Sequence, residues 1–254
     1  LVVDRGETEQ AREYLSSARA AAAAGDHAQR EAAALNSLAW VAMTVDEYDR
    51  AESHLAAALS IVEDLGVCGA HSDTLYYRAR LARFRGDLAD AEAWLEGTVE
   101  MDRQLGYRGS LSASIQLLGD VTKERGALDR AEEHYRRSLE LKREVRDRQG
   151  TATVLYEYGD LELQRDDLAA AQQCFERSLD IAQDNDMRRH AGRVRCGLGR
   201  VALQRGALEE AERRLDSGRS TLADVEHSRG VASATAALAR LARERDDLDT
   251  ARER

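Results

Sequence analysis

The chain has 254 residues, a formal net charge of −10 at pH 7 and no proline. Hydrophobic residues make up 43% of it and charged residues 33%, which suits a continuous core covered by long exposed helices. The acidic balance argues against sequence-independent binding to nucleic acid or to an anionic membrane, and no apolar run is long enough to predict a membrane span.

Alanine recurs every 40 residues along the whole chain. These ladder alanines are Ala11, Ala51, Ala91, Ala131, Ala171, Ala211 and Ala251. Glycine or aspartate stands five residues before each one, and leucine stands three residues before five of them. A fixed period without insertions is the signature of stacked helical repeats. We therefore predict one repeat array instead of several globular domains.

The third full copy of the pattern shows the predicted unit most clearly. Apolar and small residues at helical spacing predict a first helix, helix A, over 112–125 and a second, helix B, over 129–145. Gly126 is expected to end helix A, because glycine adopts the left-handed conformation without a Cβ clash. Gly150 is interpreted as the link to the next unit.

The other copies align with this one without gaps. In chain order they give a partial unit at 1–26, full units at about 30–68, 70–108, 110–148, 150–188 and 190–228, and a partial unit at 230–254. No linker, low-complexity stretch or change of composition divides them. The sequence therefore predicts a single array over residues 1–254.

This pattern resembles the tetratricopeptide repeat, the TPR. In that family a small residue of helix A packs where helix B passes closest, and the matching residues here are Ala39, Ala79, Gly119, Gly159, Gly199 and Ala239. The 40-residue unit is similar to the repeats of kinesin light chains and MalT-like regulators. We assign its extra length over the common 34-residue unit mainly to helix B. The resemblance implies an all-α fold, a right-handed superhelical α-solenoid of antiparallel helix-turn-helix units.

No catalytic motif is present in the sequence. It has no phosphate-binding loop, no dinucleotide-binding glycine pattern, no HExxH and no GxSxG. The three cysteines are irregularly spaced and predict reduced thiols, neither a disulfide framework nor a metal site. Asp73 and the pair Asp166–Asp167 are interpreted as helix-start residues. We expect a protein that is not an enzyme and that uses no cofactor or metal.

The resemblance also implies where a partner would bind. In TPR arrays the concave surface is lined mainly by helix A, and the matching positions are Asn36, Trp40, Tyr76, Arg80, Arg83, Phe84, Gln116, Asp120, Lys123, Tyr156, Asp160, Arg193, Arg200, Arg240 and Arg243. Rings gather at the N-terminal end of this set, and rings dominate interface hot spots. The alternative is that Trp40 and Phe84 pack between neighbouring helices.

These features predict a cytoplasmic scaffold that binds a peptide or a partner domain in the concave face. Six of the matching positions are arginines, which hold carboxylates in bidentate fashion, so we expect an acidic or C-terminal segment as the ligand. The alternative is a regulatory sensor arm of a larger signalling protein, such as a STAND NTPase, a transcription regulator or a protease partner. It rests on Leu1, which is not an initiator methionine, and on an array that begins and stops inside helical units.

Overall fold

The computed structural model describes the backbone of residues 5–252 and the side chains of residues 8–245. Within these bounds the secondary structure is α-helical throughout, with no strand. The helices are α1 (Arg5–Ala24), α2 (Ala28–Thr44), α3 (Tyr48–Glu63), α4 (Gly69–Arg85), α5 (Leu88–Leu105), α6 (Arg108–Glu124), α7 (Leu128–Glu144), α8 (Arg148–Gln164), α9 (Leu168–Asp184), α10 (Arg188–Gln204), α11 (Leu208–Asp224) and α12 (Ser228–Arg252). The prediction of an all-α repeat fold is confirmed.

Even-numbered helices are the predicted helix A of each unit, and odd-numbered helices are helix B. Consecutive helices pack against one another as antiparallel pairs, because only two to five residues connect them. Helix A also contacts the helix A of the next repeat, as seen for α2 with α4, α4 with α6, α8 with α10 and α10 with α12. The helix A side chains of α2, α4 and α6 therefore form a common face, and so do those of α8, α10 and α12.

The connections repeat every 20 residues, half the period of the sequence. A residue with positive φ closes each of them, namely Asp26, Asp46, Gly66, Gly86, Gly106, Gly126, Arg146, Asp166, Asp186, Gly206 and Glu226. At each of these residues except Gly66, the next N–H bonds back to a carbonyl five residues earlier, as Ala127 N does to Thr122 O at 2.9 Å. This is the Schellman ending of a helix. Both connections of a unit are thus the same turn, apart from the longer connection 64–68 after α3.

Three local predictions were wrong. Gly150 does not link two units, because it lies in the first turn of α8 and its N–H donates to Asp147 Oδ1 at 2.8 Å. Helix A begins earlier than predicted, at Arg108 instead of residue 112, so that α6 and α7 each have 17 residues. Asp73 does not start a helix, because α4 begins four residues earlier at Gly69. Asp167 does cap α9, where its carboxylate accepts from Ala170 N at 2.9 Å.

The ladder alanines lie in the hydrophobic core. Ala51, Ala91, Ala131, Ala171 and Ala211 are all fully buried, and Ala11 is half-buried. Ala251 belongs to α12, but its side chain lies outside the described residues. The small helix A residues face the large residue one turn beyond the ladder: a Cβ on Gly119 would stand 2.8 Å from the ring of Tyr135. The glycine therefore makes room for a buried ring.

The chain divides into two compact units, and the boundary falls between Leu141 and Lys142 in the last turn of α7. We call them the N-unit and the C-unit. In the N-unit one core cluster surrounds Ala39 and Leu55, and in the C-unit another surrounds Phe175 and Val194. Across the residues that the structure describes, no helix is long and apolar enough to cross a membrane.

Candidate functional site

The N-unit brings an arginine and three rings together on helices α2 and α4. The guanidinium carbon of Arg80 lies 3.9 Å from the centre of the Trp40 ring and 5.8 Å from that of Tyr76. Tyr77 contacts both rings, at centroid distances of 6.5 Å from Trp40 and 5.7 Å from Tyr76. We call these four residues the ring–arginine cluster. Its members are all half-buried, so each presents part of its side chain to solvent.

Arg80 differs from the neighbouring basic residues in what it contacts. Stacking on Trp40 and Tyr76 fixes the plane of its guanidinium, and no carboxylate pairs with it among the described residues. A stacked guanidinium keeps its N–H edges available for hydrogen bonds. Arg80 is therefore a positioned donor whose charge no described side chain neutralises.

Phe84 does not join this cluster. It stacks on Tyr48 at the start of α3, with ring centroids 6.2 Å apart and planes 19° from parallel. Phe84 is 41% exposed, so this second pair of rings is also accessible. Tyr48 and Tyr77 were missed by the sequence reasoning, because the TPR positions for binding residues do not include them.

Three predicted binding residues in the N-unit form an internal network instead of an open surface. Arg83 bonds to Glu124 at 2.6 Å and approaches Asp120 at 3.4 Å. Asp120 accepts from the buried hydroxyl of Tyr135 at 2.8 Å, and Lys123 lies 6.0 Å from the same ring. Asp120 and Lys123 are both buried. Their charges are thus used inside the protein.

Next to the ring–arginine cluster, helices α2, α4, α5 and α6 enclose a cleft of about 260 Å³. Polar and aromatic residues line most of it, including Asn36, Ser72, Asp73, Tyr76, Tyr77 and Ser114. We call it the polar cleft. Asp73 is exposed at the rim of the cleft. The pKa of Asp73 is raised, first because the surrounding protein displaces water from its carboxylate and second because the Asp102 carboxylate lies nearby.

Behind the wall of the polar cleft lies a fully buried carboxylate. Asp102 accepts hydrogen bonds from Ser72 Oγ at 2.5 Å and from Ser114 Oγ at 3.0 Å. No basic side chain among the described residues pairs with it, and burial raises its pKa against the opposing effect of the two hydroxyls. A buried charge without a counter-ion destabilises the folded state, so the stability of the fold does not explain an aspartate at position 102.

Sequence reasoning missed Asp102, although the repeat carried a signal. The residues at the same position of the other repeats are Ala22, Val62, Lys142, Ala182 and Leu222, and all of them are buried. Lys142 is the other charged member, and it pairs with Asp147 at 3.2 Å. A comparison down this column of the repeats would have identified Asp102 as a buried charge.

The C-unit pairs its predicted binding residues with one another. Arg193 lies over Tyr156, 4.3 Å from the ring centre, and bonds to Glu157 at 3.3 Å. Arg200 bonds to Asp160 at 2.7 Å. These are contacts between helix A of one unit and helix A of the next. They neutralise the arginines that the sequence suggested for an acidic ligand.

The remaining predicted residues are more open. Arg240 bonds to Glu244 one turn later in α12, at 3.0 Å, and Arg243 is exposed. Gln116 is half-buried on α6. Arg240 and Arg200 both line a cleft of about 320 Å³ between α8, α10 and α12, to which Gln116 and Arg243 do not belong.

The cysteines and the potential metal ligands in the described part of the chain are not arranged for thiol or metal chemistry. Cys68, Cys174 and Cys196 are free, and burial raises the pKa of Cys174 and of Cys196 to about 11, so both thiols stay protonated at neutral pH. No group of three or more His, Cys, Asp or Glu side chains in the described part of the chain is arranged to hold a metal ion.

Comparison with known proteins agrees with this architecture. The model of the MalT-like TPR region matches residues 38–253, and the chain belongs to this family. Among curated protein sequences none matches the chain.

Solved structures of TPR proteins share the fold. The TPR-like repeats of a kinesin light chain from Podosopora anserina superpose with a TM-score of 0.64 at 16% identity, over 79% of this chain and 98% of that one. A STAND protein from Pyrococcus horikoshii with a TPR sensor gives 0.69 at 15% identity, over 84% of this chain and 34% of that one. A Rap protein complexed with Competence and Sporulation Factor gives 0.64 at 15%, over 85% and 65%.

Proposed function

We propose that this MalT-like TPR chain is a non-catalytic scaffold that binds a peptide or a partner domain on the helix A face of its N-unit. The observation that carries the proposal is Arg80, a guanidinium held over Trp40 with no carboxylate partner among the described residues. Tryptophan, tyrosine and arginine are the residue types most enriched in interface hot spots. The similarity to a Rap protein complexed with a factor supports a binding role.

The chemistry of Arg80 also suggests what the partner presents. A guanidinium with free N–H edges fits a carboxylate, which it binds with two parallel hydrogen bonds. The partner therefore carries an acidic side chain or a C-terminal carboxylate opposite Arg80. A cytoplasmic location is part of this proposal, and the three free cysteines agree with a reducing compartment.

Partner capture from the native host, followed by mass spectrometry, tests this function. The double variant Trp40→Ala, Arg80→Ala should lose partners that the wild type retains, while its helix content by circular dichroism stays the same. Arg103→Ala is the control, because Arg103 is an exposed arginine of α5 outside the cluster. Unchanged capture by the double variant would show that this face is not the binding surface.

A second candidate function is a sensor arm of a larger signalling protein. The similarity to a STAND protein with a TPR sensor, of which this chain covers 34%, favours it. In that case the partner on the helix A face would be another domain of the same polypeptide. The coding sequence on both sides of these 254 residues decides the question: an effector domain in frame supports the arm, and a start codon immediately before them with a stop codon immediately after them counts against it.

A further inference from the structure

The polar cleft of the N-unit is lined mainly by groups that can only accept hydrogen bonds, while the hydroxyls of Ser110, Tyr76 and Tyr77 can also donate. Each serine or threonine hydroxyl has a single proton to donate, and four of those on the cleft wall donate it to the protein itself. Ser37 donates to Ala33 O at 2.9 Å and Thr98 to Trp94 O at 2.8 Å. Such hydroxyls keep only their lone pairs for a group that enters the cleft.

Ser72 and Ser114 are the other two hydroxyls, and both donate to Asp102. The length of 2.5 Å for the Ser72 bond is typical of a hydroxyl that donates to an ionised carboxylate. Asp102 thus orients both serines with their lone pairs toward the cleft. Its own negative charge lies directly behind them.

Asn36 contributes an acceptor that has no partner. Thr74 Oγ1 donates its proton to Ala70 O at 2.8 Å, so it can only accept from Asn36, whose Nδ2 donates to it at 3.0 Å. This fixes the orientation of the amide and leaves Asn36 Oδ1 without a hydrogen bond, although Asn36 is only 2% exposed. An unsatisfied buried acceptor is costly unless a ligand supplies a donor.

The charge of the cleft has the same sign throughout. Asp73 stands at the rim, Asp102 lies behind the wall, and none of the lining residues, all of them described by the structure, is basic. Tyr76 and Tyr77 add two aromatic rings, whose faces attract cations. The complement of such a site is a compact positive group with several N–H donors, and an ammonium has three donors and no acceptor.

We propose that the polar cleft binds the ammonium group of a lysine side chain presented by the peptide or protein partner. The proposal rests on the scaffold function above and adds a second, oppositely charged contact to it. Asp73 and Arg80 lie seven residues apart on α4, which is roughly 10 Å. An extended peptide spans that distance in about three residues, so one segment can place a lysine in the cleft and a carboxylate at Arg80.

Titration by nuclear magnetic resonance tests the lysine contact directly. The probes are the capped peptides acetyl-Ala-Lys-Ala-amide and acetyl-Ala-norleucine-Ala-amide, together with Ala-Ala-Ala-amide, whose only ammonium is at its N-terminus. We expect the lysine peptide to shift the side-chain amide signals of Asn36 in a saturable manner, and the norleucine peptide to leave them in place. Equal shifts by the norleucine peptide, or binding of the N-terminal ammonium alone, would overturn the proposal.

A matched pair of variants locates the effect. Asp73→Asn removes the rim charge and should weaken binding of the lysine peptide at least about fivefold, the expected loss for a charged hydrogen bond. Asp64→Asn makes the same change at an exposed residue that does not line the cleft, and should leave binding unaltered. Equal affinity of the two variants would contradict the site. If the lysine peptide fails to bind while Trp40→Ala, Arg80→Ala still loses its partners, the ammonium assignment falls and the scaffold function stands.

Discussion

The N-unit and the C-unit share one repeat frame but treat their polar residues differently. Asp73 and Arg193 occupy the same position of their repeats, as do Arg80 and Arg200. In the C-unit the two arginines bond to Glu157 and Asp160. In the N-unit Arg80 stacks on Trp40 and has no carboxylate partner among the described residues, and Asp73 stands at the rim of a cleft. Side chains at the same position of different repeats are therefore not equally available to a partner.

The two units also differ in their buried titratable groups. Asp102 of the N-unit has no counter-ion among residues 8–245, while His190 of the C-unit bonds to Ser178 Oγ at 2.9 Å and to Ala152 O at 3.2 Å. Burial raises the pKa of Asp102. Burial also lowers the pKa of His190 to about 4, and the positive charge of Arg193 is the second cause of that shift. Lowering the pH therefore stabilises the folded N-unit through Asp102 and destabilises the folded C-unit through His190.

The largest expected effect is the loss of stability of the C-unit in acid. The folded-state pKa of His190, about 4, lies below its ordinary value of 6.5. The stability linked to the neutral ring is therefore present above pH 6.5 and is lost as the pH falls toward 4. The loss amounts to about 3 kcal/mol. Hydrogen exchange should give lower protection factors for the amides of α8–α10 at pH 4 than at pH 7.

His190→Gln is the control for this effect, because glutamine cannot take up a proton. The variant should lose about 3 kcal/mol less than the wild type between pH 7 and pH 4 in denaturant unfolding. Equal losses in the two proteins would show that His190 does not carry the pH dependence.

The ladder alanines test the frame that the two units share. Ala131→Leu and Ala211→Leu each force extra carbon atoms into a fully buried position, which costs about 1–3 kcal/mol. Because the frame is the same, we expect similar costs in the N-unit and the C-unit, measured by thermal or denaturant unfolding. Wild-type stability in either variant would refute close packing at that alanine.

The turns offer a smaller change in the opposite direction. Arg146 has a φ of 57° where Gly126 has 80°, and an exposed arginine has no evident reason to occupy this conformation. Arg146→Gly relieves the left-handed strain and should raise the free energy of unfolding by about 1 kcal/mol. Gly126→Ala, its counterpart, should lower that free energy by a similar amount, and the reverse order would contradict the strain argument.

Asp102→Asn should give the smallest change in stability. Asparagine keeps two hydrogen bonds to Ser72 and Ser114, but these neutral bonds are weaker, which offsets part of the relief from burying a charge. We expect a gain below about 1 kcal/mol at pH 7. The gain should shrink as the pH falls, because a raised folded-state pKa means that protonation removes the same penalty. A loss of stability at pH 7 would mean that the ionised carboxylate stabilises the fold.

The repeat frame was predictable because its residues obey strong steric rules. The ladder alanines and Gly126 stand where only small or left-handed residues fit, so the period, the helices and one of the two turns could be identified from the sequence. The second turn escaped notice because Arg146 and Glu226 occupy it in two repeats, and neither residue signals a positive φ. Where a glycine is replaced, the pattern disappears from the sequence while the geometry remains.

The site was less predictable, since position in the repeat does not determine pairing. Nothing in the spacing distinguishes Arg200, which bonds to Asp160, from Arg80, which stacks on Trp40. That choice depends on which side chain the preceding helix A presents. The predominance of acceptors in the polar cleft depends on which hydroxyl protons the protein itself uses, and this requires the three-dimensional arrangement.

A direct measurement of the difference between the units compares Arg80→Ala with Arg200→Ala, two substitutions at the same repeat position. The affinity of each variant is measured for a partner captured by the wild-type chain. We expect Arg80→Ala to weaken binding at least about fivefold, as for a hot-spot residue, and Arg200→Ala to leave it within twofold of wild type. Equal losses for the two variants, or a larger loss for Arg200→Ala, would contradict the placement of binding in the N-unit.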